Sequence, residues 1–276
     1  MKIGVTMFPT DVAIRPDELA VALEDRGFES LFFPEHTHIP VGRRTPYPMG
    51  GELPEEYKRT FDPLVAIASA ATKTAALVLG TGVCLVAQRD PILLAKEVAS
   101  VDLLSGGRMV LGVGYGWNVD EMEDHGVDPN HRRALVREKV LAMKALWTNE
   151  VAGFDGEFVH VEPSWSWPKP AQQPHPPVFL GGAAGPTLFR HIVEWADGWM
   201  PIGGTGLSRT WPELRQVAEQ RGRDPASIKI NVFGARPDPR NLEHYRKIGV
   251  LRTCLALPAA PAEVVLPLLD EWVKLL

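Results

Sequence analysis

Eight short apolar runs, each followed by a stretch of helical character, set the limits on how this chain can fold. The strand-like runs are Lys2 to Phe8, Ser30 to Phe33, Leu77 to Val86, Met109 to Val113, Val178 to Leu180, Gly198 to Ile202, Ile228 to Phe233 and Val250 to Leu257. Helical patterning follows each of them, most clearly over Arg132 to Trp147, where Leu135, Val136, Val140, Met143 and Leu146 recur on one face. Asp62-Pro63 and Asp90-Pro91 each place a capping carboxylate before a proline that needs no N–H partner, and so open helices. Eight consecutive strand–helix units in 276 residues match the count and the typical length, about 250 residues, of a (β/α)₈ TIM barrel. A doubly wound open sheet is the alternative, but the eight units fill a barrel without remainder. Phe154 to Phe158 reads as a hairpin turn leading to an outlying strand, Phe158 to Val161, a short insertion after the fourth unit. Pro163 to Pro177 is too rich in proline for regular structure and reads as a loop. The expected organisation is one domain over residues 1–276.

The fourth unit is unusual. Arg108 to Glu121, RMVLGVGYGWNVDE, runs an apolar strand into Gly112, Gly114 and Gly116 and then into a polar turn. Glycine weakens a strand, so three at alternate positions imply either a flat molecule lying against the main chain or a crowded barrel corner with a bulge. A dinucleotide fingerprint does not fit, because no helix opens on a third glycine at the required offset.

Composition narrows the function classes. A formal net charge of −5 with scattered Lys and Arg lacks the basic stripe of a nucleic-acid surface. Met1 leads directly into KIGVTMF with no charged leader, cleavage site or long apolar segment, so export and membrane insertion are not expected and the cytoplasm is the expected compartment. Cys84 and Cys254 lie in apolar runs and read as buried thiols. A small-molecule substrate remains as the expected partner.

Function in such barrels gathers at the carboxyl ends of the strands. The second strand ends on Glu35, His36 and His38, and the fourth on its glycines with Trp117, Asn118 and Glu121. The fifth ends on GGAAGP, where small residues leave a helix amino terminus open to an anion or merely allow a tight connection. His36 is either a hydrogen-bonded structural histidine or a catalytic one. With His38 it could also hold a metal, but no further ligands can be placed at the other strand ends, so no metal is expected.

The order FFPEH, LGTGVCLVAQRDP, SGGRMVLGVGYGW and VFLGGAAGPT over nearly the whole chain resembles the bacterial luciferase-like superfamily. It is most similar to the branch that uses the deazaflavin coenzyme F₄₂₀, although FMN-dependent members share much of the pattern. The resemblance implies a coenzyme ring over the barrel mouth, beside Gly112, Gly114, Gly116 and Asn118, with a third-strand bulge at Gly82-Val83 behind it. It places the coenzyme phosphate on Gly181, Gly182, Ala183 and Ala184. His36 would contact the ring edge or deliver a proton, supported by Glu35. F₄₂₀-dependent sugar-phosphate dehydrogenases carry Asp before this histidine and Glu soon after the fourth-strand glycines, where this sequence has Glu35 and Trp117-Asn118. With Trp117, Trp165 and Trp167 as pocket residues, an apolar or aromatic substrate is expected rather than a sugar phosphate. The reading is hydride transfer with F₄₂₀. An FMN-dependent monooxygenase and a non-catalytic flavin or deazaflavin carrier are the alternatives, and a homodimer is what the resemblance implies.

Overall fold

The computed structural model describes residues 1–276. Its strands are β1 (Lys2–Thr6), β2 (Ser30–Phe33), β3 (Val78–Thr81), β4 (Met109–Val113), β5 (Val151–Asp155), β6 (His160–Trp165), β7 (Val178–Gly181), β8 (Gly198–Met200), β9 (Lys229–Ala235) and β10 (Arg252–Ala256). The helices are α1 (Pro16–Asp25), α2 (Pro63–Ala71), α3 (Pro91–Leu104), α4 (Val119–Asp124), α5 (Arg132–Thr148), α6 (Pro186–Trp195), α7 (Leu207–Gln220), α8 (Pro239–Lys247) and α9 (Ala262–Trp272). All strands but β5 and β6 form a closed parallel barrel in the order β1, β10, β9, β8, β7, β4, β3, β2. Closure joins the first strand to the last over five paired residues, from Lys2 with Arg252 to Thr6 with Ala256. The expected TIM barrel is the observed fold, and the antiparallel pair β5–β6 is its insertion.

Local chemistry explains where the helices begin. Asp62 accepts hydrogen bonds from the N–H groups of Leu64 (2.9 Å) and Val65 (3.1 Å), and Asp90 from that of Leu93 (2.8 Å). Asp238-Pro239 repeats the signature: Asp238 accepts from Arg240 N–H at 2.9 Å, and α8 starts at Pro239. The polar stretch after β4, expected as a turn, contains the short helix α4. It carries too few apolar residues to announce itself by period, burying only Glu121 and Met122.

Alternate strand residues divide between two cores. Leu31 and Phe33 belong to the main cluster between barrel and helices, whereas Phe32, Val110, Phe179, Met200 and Cys254 form a separate small cluster. Glycines make this second cluster possible. A Cβ on Gly80 would stand 2.4 Å from the Phe32 ring, one on Gly198 2.4 Å from the Phe179 ring, and one on Gly112 2.1 Å from the Thr81 carbonyl and 2.9 Å from Met200 Cε. For Gly112 the crowded-corner reading is therefore the structural one, and its missing side chain makes room for protein atoms.

The third strand is shorter than expected. Pairing stops at Thr81, the Gly82–Val83 peptide is cis, and only an isolated bridge from Cys84 to Val113 follows. The chain leaves the ladder because the Glu35 carboxylate takes the Leu85 N–H at 2.6 Å, and a 3₁₀ turn, Val86–Gln88, comes next. The hairpin also differs from expectation: β6 runs to Trp165, into the proline-rich segment, and the buried Glu138 carboxylate accepts from the N–H groups of Glu157, Phe158 and Val159 at its turn. No helix is long and apolar enough to cross a membrane.

Gly112→Ala is expected to lower unfolding free energy by roughly 1–3 kcal/mol through overpacking against backbone. Urea unfolding followed by circular dichroism checks this; an unchanged midpoint would mean the corner can relax around a methyl group.

Candidate active site

A depression of about 230 Å³ lies at the carboxyl ends of the strands. Gly82, Val83 and Leu85 from the end of β3 line it, with Gly114, Tyr115, Gly116 and Trp117 after β4. Gly181 and Gly182 from β7, Met200 and Ile202 around β8, and Phe233 of β9 complete the wall. Val83 is the floor. Its two methyl groups point at bare glycines on either side, so that a Cβ on Gly114 would sit 2.4 Å from Val83 Cγ2 and one on Gly181 2.8 Å from Cγ1. Gly82 has no room for a side chain either, since its Cβ would meet the Phe233 ring at 2.0 Å. Gly116 serves a different need: its φ of 81° turns the chain toward Trp117 in a region that favours glycine. The slot is thus apolar, shallow and backed by main chain, the shape a planar ring system fits.

His36 stands buried at the end of β2. Its Nδ1 is 2.7 Å from Oε2 of the fully buried Glu121, the third residue of α4, and Trp117 Nε1–H donates to its Nε2 at 3.2 Å. An indole nitrogen can only donate, so Nε2 is an acceptor and the proton of the neutral imidazole sits on Nδ1, where it donates to Glu121. The other carboxylate oxygen of Glu121 accepts from Thr37 N–H at 3.1 Å. One carboxylate therefore fixes the tautomer and ring direction of His36 and the start of the loop behind it.

That loop is tied down by the acids of α4. Asp120 accepts from the backbone and side chains of Arg44 and Thr45, Glu123 from Arg44, and Asp124 pairs with His38 at 3.0 Å. Hydrogen bonds from Thr45 and Arg44 hold the Asp120 carboxyl well below its ordinary range. Fastened in this way, the loop and the 3₁₀ turn Glu55–Lys58 bring two tyrosines to the rim. The Tyr57 ring lies 5.1 Å from that of His36 and 6.3 Å from that of Trp117, and Tyr47 lies 5.3 Å from Tyr57. Burial, then the neighbouring Tyr47 hydroxyl, pushes the Tyr57 hydroxyl well above the ordinary phenol range, so it stays protonated.

Several expected residues lie elsewhere. Glu35 does not support His36. It faces the β3 bulge, accepting from Leu85 N–H and from Arg89 Nε at 2.7 Å, and Arg89 is shared with Asp62 and Glu97. Glu121, only a bystander in the expected site, takes the place assigned to Glu35. Trp165 is a strand residue of β6, 77% exposed, and Trp167 is 59% exposed with its carbonyl bonded to Lys96, so neither lines the pocket. Gly112 does not line it either. Asn118 is buried, outside the lining, and both atoms of its carboxamide lack a partner in the protein. His36 and His38 turn to different acids, and no group of three His, Cys, Asp or Glu side chains is placed to hold a metal ion.

Gly181 and Gly182 form the end of the slot nearest α6, and Ala183 and Ala184 follow them outside its lining. Gly182 lines the slot with φ at 142°, Ala183 and Ala184 are exposed, and α6 begins at Pro186 after Gly185, which as N-cap residue offers no side-chain cap. First-turn N–H groups without a side-chain cap, at the positive end of a helix dipole, suit an anion. Apolar slot, bare glycines and uncapped helix end together fit a phosphorylated flavin-like group.

Residues 14–236 match the sequence model of the luciferase-like monooxygenase family. An uncharacterized protein of Mycobacterium tuberculosis is 41% identical over 269 residues, covering 95% of this chain and 94% of its own. An F420-dependent glucose-6-phosphate dehydrogenase of Gordonia bronchialis is 28% identical over 235 residues, 81% of this chain and 65% of its own length. An FMNH(2)-dependent dimethylsulfone monooxygenase of Pseudomonas putida is 28% identical over 148 residues, 52% of this chain and 40% of its own. Among solved structures, the monooxygenase RslO1 from Streptomyces bottropensis superposes with a TM-score of 0.78 at 20% identity, covering 100% of this chain and 98% of that one. An F420-dependent secondary alcohol dehydrogenase superposes with a TM-score of 0.77 at 18% identity and the same coverage.

Glu121→Ala is expected to remove about 2–3 kcal/mol of stability, because it leaves the buried Nδ1–H of His36 without an acceptor and frees the Thr37 N–H. Thermal unfolding of the variant beside Glu121→Gln, which keeps an acceptor, measures this; equal stability of both with the parent protein would show the pair to be dispensable.

Proposed function

The chain belongs to the luciferase-like monooxygenase family, whose members include F420- and FMN-dependent enzymes, and from that premise we propose that it transfers a hydride between coenzyme F₄₂₀ and an organic, apolar or aromatic substrate. One observation carries the reading: a buried imidazole, oriented by Glu121 on one nitrogen and capped by Trp117 on the other, stands at the rim of an apolar slot backed by Val83. When bound, the deazaflavin supplies the hydride.

The protein's own residues have three tasks. Val83, Met200, Ile202 and Phe233 give the ring an apolar seat and exclude water from its buried face. Gly181 to Ala184 receive the phosphate on backbone N–H groups. His36 handles the proton at Nε2. Reducing a double bond takes a hydride and a proton, and only the second must come from the chain. Trp117 now occupies Nε2 as a donor, so a proton on that nitrogen requires the indole to move aside, while Glu121 stays in place to balance the imidazolium charge. In this reading Trp117 admits substrate and frees the acid in one motion. Tyr47, Tyr57 and Trp117 then offer aromatic edges and faces at the mouth, which favours a flat or apolar substrate over a phosphorylated sugar.

The relative described as F420-dependent spans 81% of this chain, against 52% for the FMNH(2)-dependent one, which supports the deazaflavin. FMN with oxygen chemistry is the second reading, supported by that shorter match.

Titrating the protein with F₄₂₀ and with FMN, followed by ligand fluorescence, tests the assignment. Tight F₄₂₀ and weak FMN binding is expected; the reverse moves the protein to the monooxygenases, and binding of neither rejects both. His36→Ala is expected to lower the rate of coenzyme oxidation with a competent substrate by more than about tenfold while leaving coenzyme binding largely intact. An unchanged rate removes His36 from the chemistry. A carboxylate in Ala183→Asp is expected to weaken coenzyme binding by about tenfold through like charge and lost space beside the phosphate; undiminished affinity would put the phosphate elsewhere.

A further inference from the structure

We infer that the groove between α5 and α6 binds the chain of glutamate carboxylates that follows the phosphodiester in the deazaflavin coenzyme. The inference rests on the deazaflavin reading above. The groove has a volume of about 550 Å³ and carries Arg133, Arg137, Arg190, Thr187 and His191 among its lining residues. Glu194 is the only acid in it, and pairs with Arg137 at 2.5 Å. Arg133 and Arg190 have no carboxylate partner, and both are exposed. Two arginines without a carboxylate partner thus face one groove of a chain with net charge −5, whereas Arg26, Arg89 and Arg252, which line other grooves, are each paired with an acid.

The groove begins where the slot ends. Thr187, in the first turn of α6, lines the groove, and Gly182, just before that helix, lines the slot. Tyr115 is the wall between them. Its ring lines the slot, its hydroxyl lies 2.8 Å from Nδ1 of His191, and the Arg133 guanidinium stands 5.7 Å from its ring centre. Burial, then the Arg190 charge, lower the affinity of His191 for a proton, and Glu194 opposes them. A ligand with its ring on Val83 and its phosphate at Ala183 has a charged path past Thr187, between Arg133 and Arg190. Guanidinium groups match carboxylates in geometry as well as charge. FMN ends at its phosphate and has nothing to place there, so the groove also separates the two coenzymes.

Fluorescence titration at low salt tests the inference, using F₄₂₀ with several glutamates and the same deazaflavin ending at the phosphodiester acid without glutamates. The parent protein is expected to bind the longer form more tightly. In Arg133→Glu/Arg190→Glu the affinity for the longer form is expected to fall about tenfold and that for the shorter form by less than about twofold, the difference shrinking at high salt. Arg133→Gln/Arg190→Gln, with thermal unfolding as the check on folding, is expected to show a smaller loss in the same direction. Equal losses for both forms, or no loss in either variant, would overturn the inference, as would equal affinity of the parent protein for both forms. Binding of neither form would overturn the deazaflavin reading with it.

Discussion

Closing eight parallel strands into one ring is the constraint on which everything else here depends. Each strand must enter from the same end, so all eight carboxyl ends come to one face, and residues far apart in the chain become neighbours there. His36 and Glu121 are 85 residues apart in sequence and 2.7 Å apart in space. Closure also crowds the interior. Phe32, Phe179 and Met200 fill it; Gly80 and Gly198 are the in-register neighbours that give way to the two rings, and Gly112 gives way to Met200. The same device continues upward to the mouth, where Val83 rather than a phenylalanine is the inserted group and Gly114 and Gly181 are the hollows that accept it.

Carboxylates do the corresponding work in the loops, by pairing with backbone and cationic groups that the ladder leaves free. Glu35 holds the β3 bulge through the Leu85 N–H, and so positions Val83 behind the slot. Glu24 accepts from the N–H groups of Ala75, Ala76 and Leu77 as the chain enters β3. Each of the four acids of α4 reaches the segment after β2, and that segment carries Tyr47 and Tyr57. The two acids expected to share one task thus have different ones. Glu35 shapes the floor and Glu121 orients the imidazole above it.

Much of the fold was legible because its signals are local. Asp-Pro at helix starts, apolar period in α5 and short apolar runs for the strands each depend on neighbours in sequence. The site was legible in part. His36 and the glycines could be placed at strand ends, and the uncapped start of α6 follows from the small residues of GGAAGP. The pairing of His36 with Glu121 was not, because α4 is too short and too polar to show a period. Nor were the roles of Tyr47 and Tyr57, which sit in a stretch rich in proline, glycine and arginine. Trp165 and Trp167 were misplaced for the opposite reason: aromatic character marks a pocket only when the chain is known to bring it there.

The sequence by itself determined the alternation of strands and helices, hence the barrel, and the set of residues that could reach its mouth. It did so because hydrophobic period, capping and glycine act over a few residues. Only the tertiary structure decided which of those residues touch: that Gly112 yields to Thr81 and Met200, that Glu121 and not Glu35 serves His36, and that two arginines of separate helices face one groove. Those contacts are made between strand ends and loops far apart in the chain, and their distances are set by strand register and barrel closure, which no local pattern encodes.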